Sequence, residues 1–192
     1  MKKGKLLSLL LAAVVGAGSL AMTAQAAPAE LPAQTAKTAA FVKASDWVLK
    51  DDWAIFALGR NQEEGCEKLY EDYYQGVLAL LADPAKLIPS DYIRLSLSLT
   101  AIGIDPRNIE GNDLLEKIDQ ADREMYFKMS TSSLAYALAL MERYPDSFSG
   151  TLKEDTIQKI LGAQQADGSF DYTVGGGYPD PDSTAQAMQG LM

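Results

Sequence analysis

From residue 41 onward, large apolar side chains recur every three or four positions, and no stretch alternates apolar with polar as a half-buried strand does. The pattern predicts helices over about 41–59, 66–82, 91–103, 112–119, 131–144, 151–165 and from 183 onward. The breaks between them are rich in Gly, Pro and Asp, as at Asp83–Pro89, Gly103–Gly111, Tyr144–Gly150 and Asp167–Pro181.

The helices are of two kinds. "DWAIFALG" (52–59), "DYIRLSLSLTAIG" (91–103) and "SSLAYALALM" (132–141) are apolar over most of their circumference. "TLKEDTIQKILGAQ" (151–164) has one apolar face, carrying Leu152, Ile157, Ile160 and Leu161. A helix apolar all round needs cover on most sides, and a one-faced helix borders water. The alternation therefore predicts an inner and an outer layer. Asp52, Asp91, Ser132 and Asp182 open similar inner segments at offsets of 39, 41 and 50 residues. A period near 40 with two helices per unit is the signature of a helical-hairpin array. Periodicity alone does not choose between an open solenoid and a closed ring.

Helix starts are marked by polar caps. Thr151 and Glu154 have capping-box spacing, and Asp52, Asp91 and Asp182 each precede an apolar run. The last segment, Ser183–Met192, runs apolar to its end without a polar cap. Arrays of this kind end in a polar-faced repeat, so the chain reads as an N-terminal fragment.

The N-terminus sets the compartment. Lys2, Lys3 and Lys5 precede an apolar stretch, Leu6–Met22, and then Ala24-Gln25-Ala26, a small-x-small cleavage site. Residues 1–26 read as a secretory signal peptide, which leaves no stable membrane span after cleavage and makes the product secreted, extracellular or cell-surface. Residues 27–40, rich in Ala, Pro and Thr, read as a flexible linker. Residues 41–192 make the one domain. Cleavage removes three lysines and no acid, so the net charge moves from −9 to −12. Such a chain, without a basic cluster, is a poor ligand for nucleic acid.

Composition removes several chemistries. There is no histidine, which excludes His-based triads and the usual zinc sets. Cys66 is the single cysteine, so no internal disulfide forms; its place near a helix start reads as a small buried side chain. Gly175-Gly176-Gly177 lacks the Lys-Ser/Thr pair of a phosphate loop and reads as backbone freedom. Asp167, Ser169 and Asp171 alternate as in a calcium loop, but Tyr178 stands where the distal Glu belongs. No metal or cofactor is expected. Trp47, Trp53, Tyr70, Tyr73, Tyr74 and Tyr92 fall on helices and read as core. Tyr172 and Tyr178 differ, because they lie in the glycine-rich loop before Asp180 and Asp182.

"QQADGSF" (164–170) resembles the Gln-x-x-Asp-Gly-Ser-Trp turn of the squalene cyclase and protein prenyltransferase repeat, with Phe170 in the Trp place. "PDSTAQAMQGL" (181–191) resembles the inner helix that follows it. "DYIRLSLSLTAIGIDPRNIEGNDLLEKI" (91–118) is similar to a unit of secreted members of that superfamily. The resemblance implies an all-α fold, the α/α toroid, present here as an incomplete barrel. The same toroid serves terpene cyclases, prenyltransferase subunits, complement-type thioester domains and cobalamin carriers, so it does not fix the chemistry.

The family activities meet this sequence unevenly. Prenyltransferase zinc needs a histidine. The thioester needs Cys-Gly-Glu-Gln, whereas Cys66 precedes Glu67-Lys68-Leu69. Class II cyclases protonate an alkene with Asp-x-Asp-Asp, and this chain has Asp180-Pro181-Asp182-Ser183. A ring of inner-helix N-termini would set the glycine loop at the barrel mouth. The expectation is a non-catalytic binding protein for an unknown small molecule or surface partner, with Tyr172, Tyr178, Asp180 and Asp182 at the ligand site. The alternatives are a cyclase-like enzyme with Asp182 as proton donor, and a purely structural repeat module. N-terminal sequencing of exported protein should read Ala27-Pro28-Ala29; an intact Met1 end would overturn the signal peptide.

Overall fold

The computed structural model describes residues 31–192; the expected signal peptide, 1–26, lies outside them. The described residues hold nine α-helices and no strand, only three isolated β-bridges in loops. The chain divides into two units, one ending at Phe41 and the other spanning Val42–Met192. Helix α1, Leu31–Lys43, occupies most of what the composition marks as linker. Its alanines favour helix intrinsically, yet it buries only Ala39. The helix expected over 41–59 is broken after Lys43 and resumes at Asp52.

In the second unit α2 (Asp52–Arg60), α4 (Pro89–Ala101), α7 (Thr131–Arg143) and α9 (Pro181–Leu191) form a row, each packed on the next. These are the four segments that align in the sequence. They run the same way. Asp52 meets Arg94 and Ser98 near the start of α2, and Gly59 meets Ala101 near its end. Ser132 and Ser183 hydroxyls meet at 3.3 Å where α7 and α9 begin. The other helices return the chain: α3 (Glu67–Leu81), α5 (Leu114–Asp119), α6 (Arg123–Phe127) and α8 (Leu152–Leu161). Helices α5 and α6 pack on α4, and α8 packs on α7. Helix α6 carries no sequence periodicity long enough to predict it.

The core is continuous along the row. Ile55, Ile93, Leu99, Leu134 and Leu138 are buried there, and Leu114, Leu115, Ile118 and Ile160 close it from the outer layer. The Tyr126 hydroxyl pairs with Thr156 at 3.1 Å between α6 and α8, so its polar end is satisfied inside the core. Cys66 is buried at the head of α3.

Several caps fall beside the acids that the sequence singles out. Asp51, not Asp52, caps α2, accepting from Trp53 N–H and Ala54 N–H at 2.9 and 3.1 Å. Helix α4 starts with Pro89 at its first position, and Asp91 reaches back to Ile88 N–H at 2.9 Å. Asp180, not Asp182, caps α9 through Ser183 N–H at 2.7 Å. Thr151 makes no capping box with Glu154; its hydroxyl donates to Asp155 instead. Asp113, Asp122 and Ser130 cap α5, α6 and α7.

Two glycines set the spacing of the row. A Cβ on Gly59 would stand 2.7 Å from the Ala101 carbonyl, and one on Gly190 would stand 2.9 Å from Ala135 Cα and Cβ. Gly76, exposed in α3, would meet nothing within 4 Å. Gly59→Ala and Gly190→Ala are therefore expected to lower stability by about 1–3 kcal/mol through overpacking. Gly76→Ala should raise it by about 0.5–1 kcal/mol through helix propensity alone. Denaturant melts of the three variants check the opposite signs.

Candidate functional site: a groove at the N-terminal end of the inner helices

The loop between α8 and α9 is built to hold a shape. Asp167 accepts from Ser169 N–H and Oγ at 3.0 and 2.6 Å, and Gly168 turns the chain at φ +92°. Bridges pair Gln164 with Phe170 and Asp171 with Pro179. Phe170 plugs into the core, and its N–H donates to Thr184 Oγ1 of α9 at 2.9 Å. Asp171 is buried. One of its oxygens accepts from Gln165 Nε2 at 2.7 Å and from Gly177 N–H at 2.9 Å, which ties the glycine stretch down. Asp167, Ser169 and one oxygen of Asp171 are thus engaged within the loop, while the other Asp171 oxygen is buried without a hydrogen-bond partner. Among the described residues no group of three or more acids and thiols stands close enough to hold a metal ion.

The loop is also fastened to α7. Thr131 N–H donates to Tyr172 O at 2.8 Å, and Thr131 Oγ1 donates to Asp171 O at 2.7 Å. Tyr172 is thereby delivered to the end of the row where all four inner helices begin. A cavity of about 440 Å³ lies there. Trp53 of α2, Arg94 of α4, Tyr136 of α7 and Asp182 and Gln186 of α9 line it, with Tyr172 and Asp180 from the loop. Of the four residues expected at a ligand site, Tyr172, Asp180 and Asp182 are on the wall. Tyr178 is not: it is 79% exposed and contributes nothing to this lining.

Trp53 and Tyr136 meet with ring centroids 4.5 Å apart and planes tilted by 44°. Both are half-buried, so part of each ring faces the cavity. Burial pushes the Tyr136 phenol above its ordinary pKa, opposed by the Gln186 side chain beside it and reinforced by the Asp182 charge. The Gln186 amide oxygen is buried without a hydrogen-bond partner. A second cavity, of about 500 Å³, shares Ser90, Arg94, Ser130, Ser133 and Tyr172 with the first. It continues past Tyr172 onto Ile88, Met125 and Met129, so the two form one groove with a polar and an apolar end.

The charges of the groove are unequally engaged. Arg94 Nε pairs with Asp52 Oδ2 at 3.2 Å, and its Nη2 pairs with Asp91 Oδ1 at 2.7 Å. Burial lowers the Arg94 pKa, but the bond to Asp52 and the two carboxylate charges outweigh it and hold the guanidinium above its ordinary value. Tyr73 donates to Asp52 Oδ1 at 2.8 Å, and burial and that carboxylate push its phenol well up. Hydrogen bonds from Ser183 hold the Asp180 carboxyl below its usual range. Asp182 is exposed, and its carboxylate takes no hydrogen bond and no ion pair among the described residues.

The hydrophobic pattern assigns Trp53 to the core and does not single out Arg94, Tyr136 or Gln186. A signal was present in the aligned repeats. Tyr136 and Gln186 each stand four residues after the aligned starts Ser132 and Asp182, and Arg94 stands three after Asp91. Those positions lie one turn into parallel helices and so face the same end. Compared with known proteins, the chain matches no family model, no curated sequence and no solved structure at a significant level.

A depressed carboxyl pKa stabilises the folded state above the unfolded carboxyl range, and that contribution is lost as pH falls through the folded value. For Asp180 this predicts that the start of α9 loosens in acid. Asp180→Ser, which keeps an acceptor but no charge, should flatten the acid limb of thermal stability while preserving the helix near neutral pH. An unchanged acid limb would remove Asp180 as its source.

Proposed function

We propose that the chain is a secreted or surface-displayed, non-catalytic ligand-binding protein, whose Val42–Met192 unit follows the prenyltransferase-like α/α toroid plan. The observation that carries this reading is the groove where four inner helices and the α8–α9 loop converge on half-buried aromatic rings. Small-molecule sites are concave and set a few placed polar groups against apolar and aromatic walls; here polar groups surround the rings at one end, and the apolar wall lies at the other. The toroid plan draws support from the parallel inner row with outer returns. It draws more from Trp53, which reaches past α4 to Tyr136 of α7. First and third helices of a row meet in this way when the row is bent toward the side that carries the rings.

The cyclase alternative fares worse. Protonating an alkene calls for an acid shielded from water in an apolar cavity. Asp182 is exposed in the first turn of α9, and the neighbouring Ser183, where the cyclase motif has a further acid, is buried against Ser132. Asp182 stands instead as a free anion on the wall of a binding groove.

Native mass spectrometry of the exported protein should find a small molecule retained on the wild type. Trp53→Ala with Tyr136→Ala should lower its occupancy at least tenfold while leaving the helical circular dichroism in place. Retention unaffected by the double substitution would move the ligand elsewhere, and no retained molecule across varied growth conditions would favour a purely structural module.

A further inference from the structure

Charge and shape together narrow what the groove takes. Two cations line it, and both are already engaged: Arg94 by Asp52 and Asp91, and Lys128 by Glu124 Oε1 at 2.6 Å. Of the two acids on the wall, Asp180 is occupied by the α9 start, and Asp182 is unpaired. An unpaired carboxylate thus stands at the polar end beside the tilted faces of Trp53 and Tyr136. The partnerless, buried Gln186 oxygen is a hydrogen-bond acceptor on the same wall. Free acceptors and π-faces attract a cation or an N–H donor. They repel an anion, and a neutral body draws no attraction from the Asp182 charge.

Beyond Tyr172 the groove changes character. Ile88 and Met125 are each about half exposed there, and with Met129 they offer an apolar floor continuous with the polar end. Isolated exposed apolar residues are ordinary, but these line a cavity that joins an acidic aromatic one. The flexible methionines suit an alkyl or aryl body of undefined shape.

Resting on the reading of this groove as a ligand site, we propose that its ligand is a small organic cation. The ammonium group sits against Trp53, Tyr136 and Asp182, and the apolar tail crosses Tyr172 onto Met125, Met129 and Ile88. Binding is non-covalent, and no bond is made or broken. Long-range attraction by the acidic chain assists encounter, so affinity should fall as salt rises.

The chain has two tryptophans, so Trp47→Phe leaves Trp53, which lines the groove, as the only tryptophan, and its emission can be excited selectively over that of the tyrosines. In that background the full chain is titrated with hexyltrimethylammonium, hexylammonium, hexanol and hexanoate. Both cations should perturb Trp53 emission saturably, with hexanol and hexanoate at least tenfold weaker. Asp182→Asn should weaken the cations about tenfold and leave hexanol unchanged. Met125→Ser with Met129→Ser should weaken hexyltrimethylammonium more than tetramethylammonium. Hexanol binding as tightly as the cations, an unchanged cation affinity in Asp182→Asn, or no cation response up to tens of millimolar would each overturn the assignment. In those cases a molecule retained in the mass spectrometer, and lost on substituting Trp53 and Tyr136, would still leave the groove as a binding site for a different class of ligand.

Discussion

Four helices aligned in parallel must have their end charges answered, and much of the molecule follows from that constraint. Each helix carries partial positive charge at its start and partial negative charge at its finish, and alignment adds these at the two ends of the row. The starts of α2, α4 and α9 are met by Asp51, Asp91, Asp180 and Asp182, that of α7 by the Ser130 hydroxyl, and two of the finishes by Arg60 and Arg143. Parallel alignment also forces the chain to travel back between inner helices, the task of α3, of α5 with α6, and of α8. The acidic end is thus a product of the architecture, and the groove inherits its sign from the helices that shape it.

Within that frame, Asp52 shows how one residue joins several levels. Its carboxylate holds Tyr73 of α3 and Arg94 of α4, and its carbonyl accepts from Ser98 at 2.7 Å. Arg94 carries the connection on to Asp91, which faces back to the entry of α4. Charge-assisted bonds of this kind are directional as well as strong. They fix how far α4 slides along α2, and so where Trp53 stands relative to Tyr136. The electrostatics of the fold and the geometry of the aromatic pair are in this sense the same set of contacts.

The helical content was legible because burial leaves a periodic trace. Cap assignments were less so, for a local reason. Asp51 and Asp52 are adjacent, as Asp180 and Asp182 nearly are, and either member satisfies the same cap preference. Only the tertiary partners decide which acid turns to the backbone and which is left for Arg94 or for the groove. Helix α1 was hidden for the opposite reason: it forms from alanine propensity with almost no apolar face to announce it. Trp53 opens an apolar segment and Tyr136 and Gln186 sit one turn into theirs, where hydrophobic pattern points to core, and their shared end emerges only once the helices are known to be parallel. Tyr172 was legible because an aromatic in a glycine-rich loop has no core to enter.

The neck of the α8–α9 loop separates two kinds of freedom. Asp171 pairs with Pro179 and grips Gly177, while Phe170 and Thr131 pin the strand-like base to the core and to α7. Beyond the neck the chain turns on itself, with Gly176 N–H donating to Thr173 O at 2.9 Å and Val174 lying beside Gly162 at the end of α8. Four ties hold the base and one short turn holds the tip, so a change of length at the tip is absorbed above the neck, and the register of α7 against α9 is set below it.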